Sequence, residues 1–409
     1  MDPNLRLRTE LLADAEQMCR KIGASPTAIL VSGDIAYAAH PDEYAFALTW
    51  FGDLASRCGT SLDSVFTVPG NHDVDRVAAQ QPLTRLLHKD IKETSNAVAL
   101  DSMIRGHLEN VETRRLLYEP LGAYNAFAVR FGCSLLPPLR TVASKKLLIA
   151  DGVSLNVYGL NSAFVSGNGD KERDLFVDPA YGSIVQEPCV ANLVMCHHPF
   201  SWLRNGDALR DYFADEAVIH LFGHEHTSRF ELNRDFVMLA AGAAHPERAL
   251  PSWEPGYNLI ELTIRSEETQ RLLEVAIHIR AWQERPGRFH PRQDRDGSDV
   301  VRWQLRLDGC KSVAAVDQAA APATNGNDQP SMATTATRGD PMKSLREISL
   351  RFFKLTFSQK SAIAGSLGLL EDDDAMVPDF ERFRRVLERA SDQGRLAELE
   401  RAIALAERS

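Results

Sequence analysis

The segment Val65-Phe66-Thr67-Val68-Pro69-Gly70-Asn71-His72-Asp73 joins an apolar run typical of a buried strand to a short polar stretch. Three more segments have the same design, and their polar ends are Gly33-Asp34, His197-His198 and Gly223-His224-Glu225-His226. They follow apolar runs at residues 28–31, 192–195 and 218–222. Because the carboxyl ends of neighbouring buried strands meet at one sheet edge, where open α/β folds build their sites, these polar side chains are expected to converge.

Helical patterns separate these strand patterns. Leu5–Ile22 carries apolar residues at helical spacing, and Pro41-Asp42-Glu43-Tyr44 opens a second helix. This alternation predicts a layered α/β core. Residues 76–120 have a polar, helical pattern, which fits either an insertion over the site or a surface helical hairpin. Residues 124–163, including Phe127-Ala128-Val129, alternate as strands do, and the β-rich runs at 235–282 and 300–307 predict a second sheet.

Bulk composition narrows the class of protein. At 409 residues the chain has room for one large domain and a small one. The net charge of −10 argues against a nucleic-acid binder that works by bulk electrostatics. The six cysteines show no CxxC pair and no disulfide spacing, so we expect reduced thiols and a cytoplasmic location. No apolar run reaches the roughly 18 residues of a membrane span, so no membrane partner is expected.

The residue types at the strand ends suit a borderline divalent metal such as Mn, Fe or Zn. A carboxylate such as Asp34 could bridge two cations, and Asn71 offers a neutral amide oxygen. His72 could protonate a departing alkoxide near neutral pH, and Asp73 could hold the other nitrogen of that imidazole. A plain polar turn at Pro69-Gly70-Asn71 is the alternative.

The histidine segments extend this interpretation. A histidine after a strand is more often structural than metal-bound, so His197 and His198 alone would decide little. His198 could face substrate or satisfy a backbone group. His224 and His226, one residue apart after a strand, place two imidazoles at one rim and favour a metal site.

Taken in order, these motifs resemble the calcineurin-like metallophosphoesterase superfamily, whose motifs run D-x-H, G-D, G-N-H-[DE], H and G-H-x-H. The resemblance implies a four-layer αββα sandwich that hydrolyses phosphoesters by attack of a metal-activated hydroxide, with two metal ions. It implies one metal site of Asp34, Asn71, His197 and His224, and a second of Asp34 and His226 with residues of the first motif. It also makes His72 the general acid.

The first motif is missing, because no Asp-x-His occurs in the chain. By position it belongs on a strand before Leu5–Ile22, so we expect the sandwich to lack its first strand. Three explanations stay open: an upstream start, a weak one-metal enzyme, or an inactive scaffold that recruits partners. Of the two ions expected in the family, we expect this chain to hold one tightly and to be a poor phosphodiesterase unless it is extended N-terminally.

The segment Gly33-Asp34-Ile35-Ala36-Tyr37, with Pro41-Asp42-Glu43-Tyr44, looks like the cyclic-nucleotide phosphodiesterase branch of the superfamily. This implies a phosphodiester substrate, either a cyclic nucleotide or nucleic acid, and the acidic balance disfavours nucleic acid. His198 and Tyr37 are the candidate substrate contacts. A base could stack on aromatic residues, although such residues near a sheet edge are more often core; the candidates are Tyr37, Phe200, Trp202 and Trp253.

Composition divides the chain into three parts. Residues 1–310 form the expected phosphoesterase domain, and residues 311–342, rich in Ala, Thr, Asn, Gly and Pro, predict a flexible linker. Residues 343–409 predict a small all-α domain with helices at 345–355, 358–367, 379–390 and 396–406. The short apolar motifs at 357–370 and 394–399 resemble effector-associated adaptor domains, which implies a protein partner; a plain helical oligomerisation module is the alternative.

Overall fold

The computed structural model describes residues 4–94, 97–135, 143–150, 152–226, 228–243, 255–266, 271–293, 296–307, 310, 348, 351–352, 355, 357–371, 374 and 379–406. The chain divides into two compact units, one of residues 1–93 and 104–319 and one of residues 94–103 and 320–409. The predicted linker at 311–342 and Trp253 lie outside the described residues. The domain boundaries inferred from the sequence stay a prediction.

The two N-terminal helices begin where the sequence predicts. Helix α1 spans Leu5–Ile22 and α2 spans Pro41–Arg57. His40 and Glu43 form a capping box across the first turn of α2. The stretch at 76–120 is helical, as predicted, and the further helices up to residue 216 are α3 (Arg76–Ala79), α4 (Pro82–Glu93), α5 (Ala97–Glu109), α6 (Val111–Tyr118), α7 (Gly122–Ala128) and α8 (Gly206–Glu216). None of the helices in the described ranges is long and apolar enough to cross a membrane.

The strands confirm the four apolar runs that precede the polar motifs. In chain order the strands are β1 (Ile29–Val31), β2 (Val65–Thr67), β3 (Ala143–Ala150), β4 (Val153–Leu160), β5 (Val190–Cys196), β6 (Ile219–Phe222), β7 (Arg229–Leu232), β8 (Val237–Ala240), β9 (Gly256–Ser266), β10 (Arg271–Gln283), β11 (Arg288–Pro291) and β12 (Val301–Arg306). Every residue of β5 and β6 is buried. Burial on both faces explains why these strands read as continuous apolar runs.

The largest sheet has six strands in the order β3-β4-β5-β6-β8-β7. Its central strands β4, β5, β6 and β8 are parallel, and β3 and β7 are antiparallel edges. Since β5 and β6 are parallel neighbours, the segments that follow them, at residues 197–198 and 223–226, leave the sheet at the same edge.

The remaining strands form two smaller sheets. Strands β1 and β2 pair in parallel, and β9, β11 and β12 each pair antiparallel with β10. The second sheet predicted at 235–282 and 300–307 is therefore present, except that β8 belongs to the six-stranded sheet. A four-residue strand at the start of the predicted range carries no signal of which sheet it joins.

One hydrophobic core joins the three sheets of the first unit. Phe66 of β2, Val157 of β4 and Leu193 of β5 lie in the same buried cluster as Val275 of β10 and Leu305 of β12. Sheets stacked over a shared core, with helices outside them, confirm the predicted α/β sandwich. The stacking also brings the loop ends of different sheets close together.

The strand predicted at Phe127-Ala128-Val129 is wrong, because this region belongs to α7 and a following 3₁₀ turn. Tyr124, Phe127, Ala128 and Phe131 pack on the core with the i, i+3, i+4, i+7 spacing of a helix. Three consecutive apolar residues fit either a strand or one face of a helix, and only the wider spacing distinguishes the two.

The expectation that all cysteines are reduced thiols is also wrong, because Cys189 and Cys310 form a disulfide with Cα atoms 4.7 Å apart. The two residues are 121 positions apart in the sequence, so no spacing rule could pair them. They meet because Cys189, directly before β5, and Cys310, after β12, both pack in the core that joins the sheets. The cytoplasmic expectation loses the support that it took from reduced cysteines.

The second unit contains the predicted C-terminal helices. They are α9 (Phe357–Ser366), α10 (Asp379–Asp392) and α11 (Leu396–Ala406), and the helix predicted at 345–355 falls largely outside the described residues. Phe352, Phe383 and Leu399 lie in its core. Arg389 binds the buried Asp374 carboxylate through both guanidinium nitrogens, so the charge inside this small unit is paired.

Candidate metal centre

Three chain segments from two sheets meet at the candidate site, and glycines allow them to approach. A Cβ added to Gly70 would lie 2.1 Å from Oδ1 of Asp34, and one added to Gly33 would lie 2.5 Å from Nδ1 of His197. These distances are far too short for real atoms. Glycine is therefore required at both positions, because the loops after β1 and β2 pass in direct backbone contact and the His197 ring lies against Gly33.

Four of the predicted ligands converge at this point. Oδ1 of Asn71 lies 3.1 Å from Nε2 of His197 and 3.1 Å from Nδ1 of His224. Nε2 of His197 lies 3.3 Å from Oδ2 of Asp34. Ligand atoms about 2.0–2.1 Å from a shared ion are themselves about 3.0–3.4 Å apart. These three contacts have the spacing of ligand atoms around one divalent cation.

The protonation of His197 supports the same conclusion. Its Nδ1 donates to the backbone carbonyl of Ser32 at 2.7 Å, which leaves the Nε2 lone pair facing the oxygens of Asn71 and Asp34. Acceptor atoms face one another here, and only a proton or a cation between them makes the contact favourable. Metal binding at this point would therefore displace a proton.

The pKa shifts of His197, Asp34 and His224 agree with a site in which these side chains lie close together. Burial opposes charge on His197, but the Asp34 carboxylate outweighs it and raises the pKa of His197. Burial likewise opposes charge on Asp34, but His197 lowers the pKa of that carboxyl well below its usual range. Burial first, and then His197, lowers the pKa of His224 to about 3. His224 is consequently a neutral imidazole with a lone pair available at neutral pH.

Three candidate ligands have left-handed backbone conformations. The φ angles are 52° at Asp34, 66° at His224 and 55° at His226. Residues with side chains adopt this region at a cost, and such outliers collect at functional sites. His226 is half-buried on the same turn as His224, and its charge helps to lower the pKa of His224.

His72, the predicted general acid, lies beside this cluster. Its backbone N–H donates to Oδ1 of Asp34 at 2.9 Å, and its Nδ1 donates to the backbone carbonyl of Tyr37 at 2.8 Å. The Tyr37 ring stacks on the imidazole with centroids 5.2 Å apart. With Nδ1 occupied, Nε2 of His72 is the nitrogen left for proton transfer.

The expectation that Asp73 holds the imidazole of His72 is wrong, since the Tyr37 carbonyl does so. Burial first, and then Asp34, raises the pKa of Asp73 to about 6. The carboxylate oxygens of this fully buried residue accept four hydrogen bonds at 2.9–3.2 Å, from the backbone N–H groups of Ile35, Ala36 and Gly70 and from the hydroxyl of Tyr44. Asp73 therefore holds the Asp34 loop against the Asn71 loop.

His198 lies inside the cluster with only 1% of its surface exposed. One ring nitrogen from each of His197, His198 and His224 lies within 4.8 Å of the others. Its Nδ1 contacts the hydroxyl of Ser162 at 2.8 Å. The sequence gives no direct sign of a role for Ser162. It nevertheless follows β4, the parallel neighbour of β5, and residues that directly follow parallel strands are expected at the same sheet edge.

The aromatic candidates divide between the site and the core. Trp202 packs edge-on against His224 with centroids 4.2 Å apart, so it lines the site together with Tyr37. Phe200 packs on Phe222 of β6 at 4.8 Å instead. Position after a strand cannot predict which of these two aromatic residues lines the site, because both follow β5 and they lie only two positions apart.

Comparison with known protein families gives two matches. Residues 8–228, more than half of the chain, match the model described as calcineurin-like phosphoesterase. Residues 344–405 match the model of the GTPase-associated adaptor domain, in the region predicted to be a helical adaptor. No curated protein matches the chain.

Two solved structures are similar to the chain at low identity. One is GAP50, the anchor in the inner membrane complex of Plasmodium, with 11% identity and a TM-score of 0.33 over 82% of this chain and 96% of that chain. The other is a putative 5'-nucleotidase from Staphylococcus aureus in complex with alpha-ketoglutarate, with 12% identity and a TM-score of 0.24 over 59% of this chain and 45% of that chain. Both likenesses are too remote to support an inference about activity.

Proposed function

Since this chain belongs to the calcineurin-like phosphoesterase family, we propose that it is a metal-dependent hydrolase that cleaves a phosphodiester. The observation that carries the proposal is the set of four ligand atoms from Asp34, Asn71, His197 and His224, spaced 3.1–3.3 Å apart along their contacts. These atoms suit one Mn, Fe or Zn ion. Asp34 and His226 alone would hold a second ion weakly, so one tightly bound ion per chain is expected.

The roles of the protein groups follow from their hydrogen bonds. A bound divalent ion would neutralise charge on the phosphoryl group and lower the pKa of a nearby water molecule. His72, whose Nδ1 is held by the Tyr37 carbonyl, would give a proton from Nε2 to the leaving oxygen. Tyr37, whose ring stacks on that imidazole, would lie on the leaving-group side, and His198 would contact the phosphoryl group.

The substrate is a cyclic nucleotide or a nucleic acid, and the formal charge of −10 favours the smaller of the two. The test is hydrolysis of a panel with Mn²⁺ present: cyclic nucleotides, bis(p-nitrophenyl) phosphate and single-stranded DNA. We expect weak hydrolysis of the small diesters, which His224→Ala should abolish. Metal analysis should give about one tightly held ion, and two such ions with fast turnover would contradict the one-ion expectation.

We also propose that the C-terminal unit recruits a protein partner through helix–helix contacts. The match of residues 344–405 to an adaptor domain supports this role. Removing the residues after Pro341 should leave hydrolysis of bis(p-nitrophenyl) phosphate unchanged and abolish partner co-purification. Loss of hydrolysis would instead assign a structural role to this unit.

A catalytically weak or inactive scaffold that recruits partners through its C-terminal unit is the alternative function, and the adaptor-domain match at residues 344–405 supports it. Such a scaffold would still bind one metal ion and a phosphate group. It would show no turnover on any member of the panel, whereas partner capture through the C-terminal unit would persist. Single-turnover measurements at high protein concentration distinguish the two functions.

A further inference from the structure

The ring of His198 has one nitrogen whose partner is not supplied by the protein. The imidazole is buried, and its Nε2 has no hydrogen-bond partner among the residues that the structure describes. Its centroid lies 4.7 Å from that of His197 and 4.6 Å from that of His224. Buried polar atoms are nearly always paired, so this nitrogen requires a bound group in the pocket that it shares with the candidate ligands.

Ser162 decides whether that nitrogen donates or accepts. The Ser162 hydroxyl, which is fully buried, accepts the backbone N–H of His198 at 3.2 Å and lies 2.8 Å from its Nδ1. Burial raises the pKa of the Cys196 thiol to about 12, and hydrogen bonds with Ser162 and with the backbone N–H of His198 oppose that rise, so the sulfur lies beside the same hydroxyl. A serine hydroxyl has one hydrogen and two lone pairs, and a thiol is both a weak donor and a weak acceptor.

Two arrangements of hydrogens satisfy these contacts, and the one adopted here gives the hydroxyl hydrogen to the stronger acceptor. The hydroxyl accepts from the backbone N–H and from the thiol, and it donates its own hydrogen to Nδ1 of His198. An O–H to imidazole nitrogen bond is stronger than the alternative O–H to sulfur bond. Nδ1 is then an acceptor, so the neutral imidazole carries its proton on Nε2.

We propose that His198 is a fixed hydrogen-bond donor, through Nε2–H, to a non-bridging oxygen of the bound phosphoryl group, and that Ser162 is the positioning residue that sets this tautomer. A protonated Nε2 has no lone pair for a metal ion, and Asp34, Asn71, His197 and His224 supply four other candidate ligand atoms. Phosphoryl oxygens are pure acceptors, and fixed donors stabilise charge on them. This inference rests on the proposed phosphoesterase function.

The tautomer is tested first, by NMR of the full chain with ¹⁵N-labelled histidine and Zn²⁺. The His198 signals, identified by their loss in His198→Gln, should show an acceptor Nδ1 and a protonated Nε2. Ser162→Ala should change this pattern, and Ser162→Thr, which retains the hydroxyl, should restore it. A protonated Nδ1 in the native protein would overturn the inference.

Binding of inorganic phosphate to the metal-loaded protein tests the donor itself. His198→Ala should weaken phosphate binding about 10- to 100-fold, the usual range for one hydrogen bond to a charged group. His198→Gln, whose amide N–H can replace Nε2–H, should recover much of the loss. The affinity for Mn²⁺ should stay within a few-fold of the native value in both variants.

The outcomes separate this inference from the proposed function. If the native protein hydrolyses a diester and His198→Ala binds phosphate as tightly as the native protein, the inference is overturned and the proposed function stands. A loss of Mn²⁺ affinity in His198→Ala equal to that in His224→Ala would also overturn it, because His198 would then be a metal ligand. A native protein that neither hydrolyses any diester nor binds phosphate would overturn both.

Discussion

The amide oxygen of Asn71 and Nε2 of His197 lie 3.1 Å apart, although the two residues follow strands of different sheets. Asn71 follows β2 of the two-stranded sheet and His197 follows β5 of the six-stranded sheet. Because the His197 Nδ1–H donates to Ser32, the two facing atoms are both acceptors. The packing of the sheets therefore brings together two atoms that repel one another unless a proton or a cation lies between them.

Replacing Asn71 by Ala should lower the affinity for Mn²⁺ by more than about 100-fold, since even partners one step removed from a metal ion contribute about 10- to 100-fold. Titration against a fluorescent chelator measures the change. Asn168→Ala, at an exposed position, is the matched control and should bind Mn²⁺ like the native protein. Equal affinity in Asn71→Ala would mean that the ion lies elsewhere.

Replacing Asp73 by Asn should destabilise the fold rather than act on the proton transfer at His72. The carboxylate accepts four hydrogen bonds, whereas an amide offers one oxygen and turns its N–H₂ group toward the remaining donors. Two unpaired buried donors cost about 2–5 kcal/mol in the free energy of unfolding. Urea denaturation measures this loss.

The exposed Asp215 offers a control of the same chemistry, and Asp215→Asn should leave the denaturation midpoint unchanged. Full stability in Asp73→Asn, together with a shifted pH–rate profile, would return Asp73 to the role at His72 that the sequence had suggested.

The sequence alone predicts the part of the site whose residues directly follow buried strands. Four apolar runs followed by Asp34, Asn71, His197 and His224 predicted both the strands and the convergence of these residues. This rule works because each polar residue directly follows a strand whose burial leaves a continuous apolar signal.

The remaining features depend on contacts between segments that are distant in sequence. Asp73 lies next to His72, yet its carboxylate faces the Asp34 loop, and neighbours in sequence do not reveal side-chain direction in a tight turn. The Ser162–His198 contact depends on the packing of β4 beside β5. The Cys189–Cys310 pairing depends on where two strand ends meet, which spacing cannot show.

Stability should fall with acid because of His88 in α4. Burial first, and then Lys92, lowers the pKa of His88 to about 4, whereas an unfolded histidine titrates near about 6.5. Between these values the unfolded state binds the extra proton. The stability from neutral His88 is therefore complete above about pH 6.5, and up to about 3 kcal/mol of it is lost as the pH falls toward 4.

The variants His88→Leu and His88→Gln should both flatten the dependence of unfolding free energy on pH across this window. Their baselines should differ, because one is apolar and the other polar, but their slopes should agree. Lys92 pairs with Asp170 at 2.6 Å, and this contact holds it near His88. An unchanged slope in both variants would show that His88 is not the group that titrates.

The Cys189–Cys310 disulfide should stabilise the first unit, because it closes a loop of 121 residues and so restricts the unfolded chain. Reduction with dithiothreitol should lower the free energy of unfolding by about 2–4 kcal/mol, measured by urea denaturation. The double variant with Cys189→Ser and Cys310→Ser should have the stability of the reduced native protein, and dithiothreitol should not change it.

Of the six cysteines, Cys19, Cys58, Cys133 and Cys196 are free, so a thiol assay of the denatured, unreduced protein should give four thiols. Six reactive thiols, with no effect of dithiothreitol, would restore the reduced state inferred from the sequence.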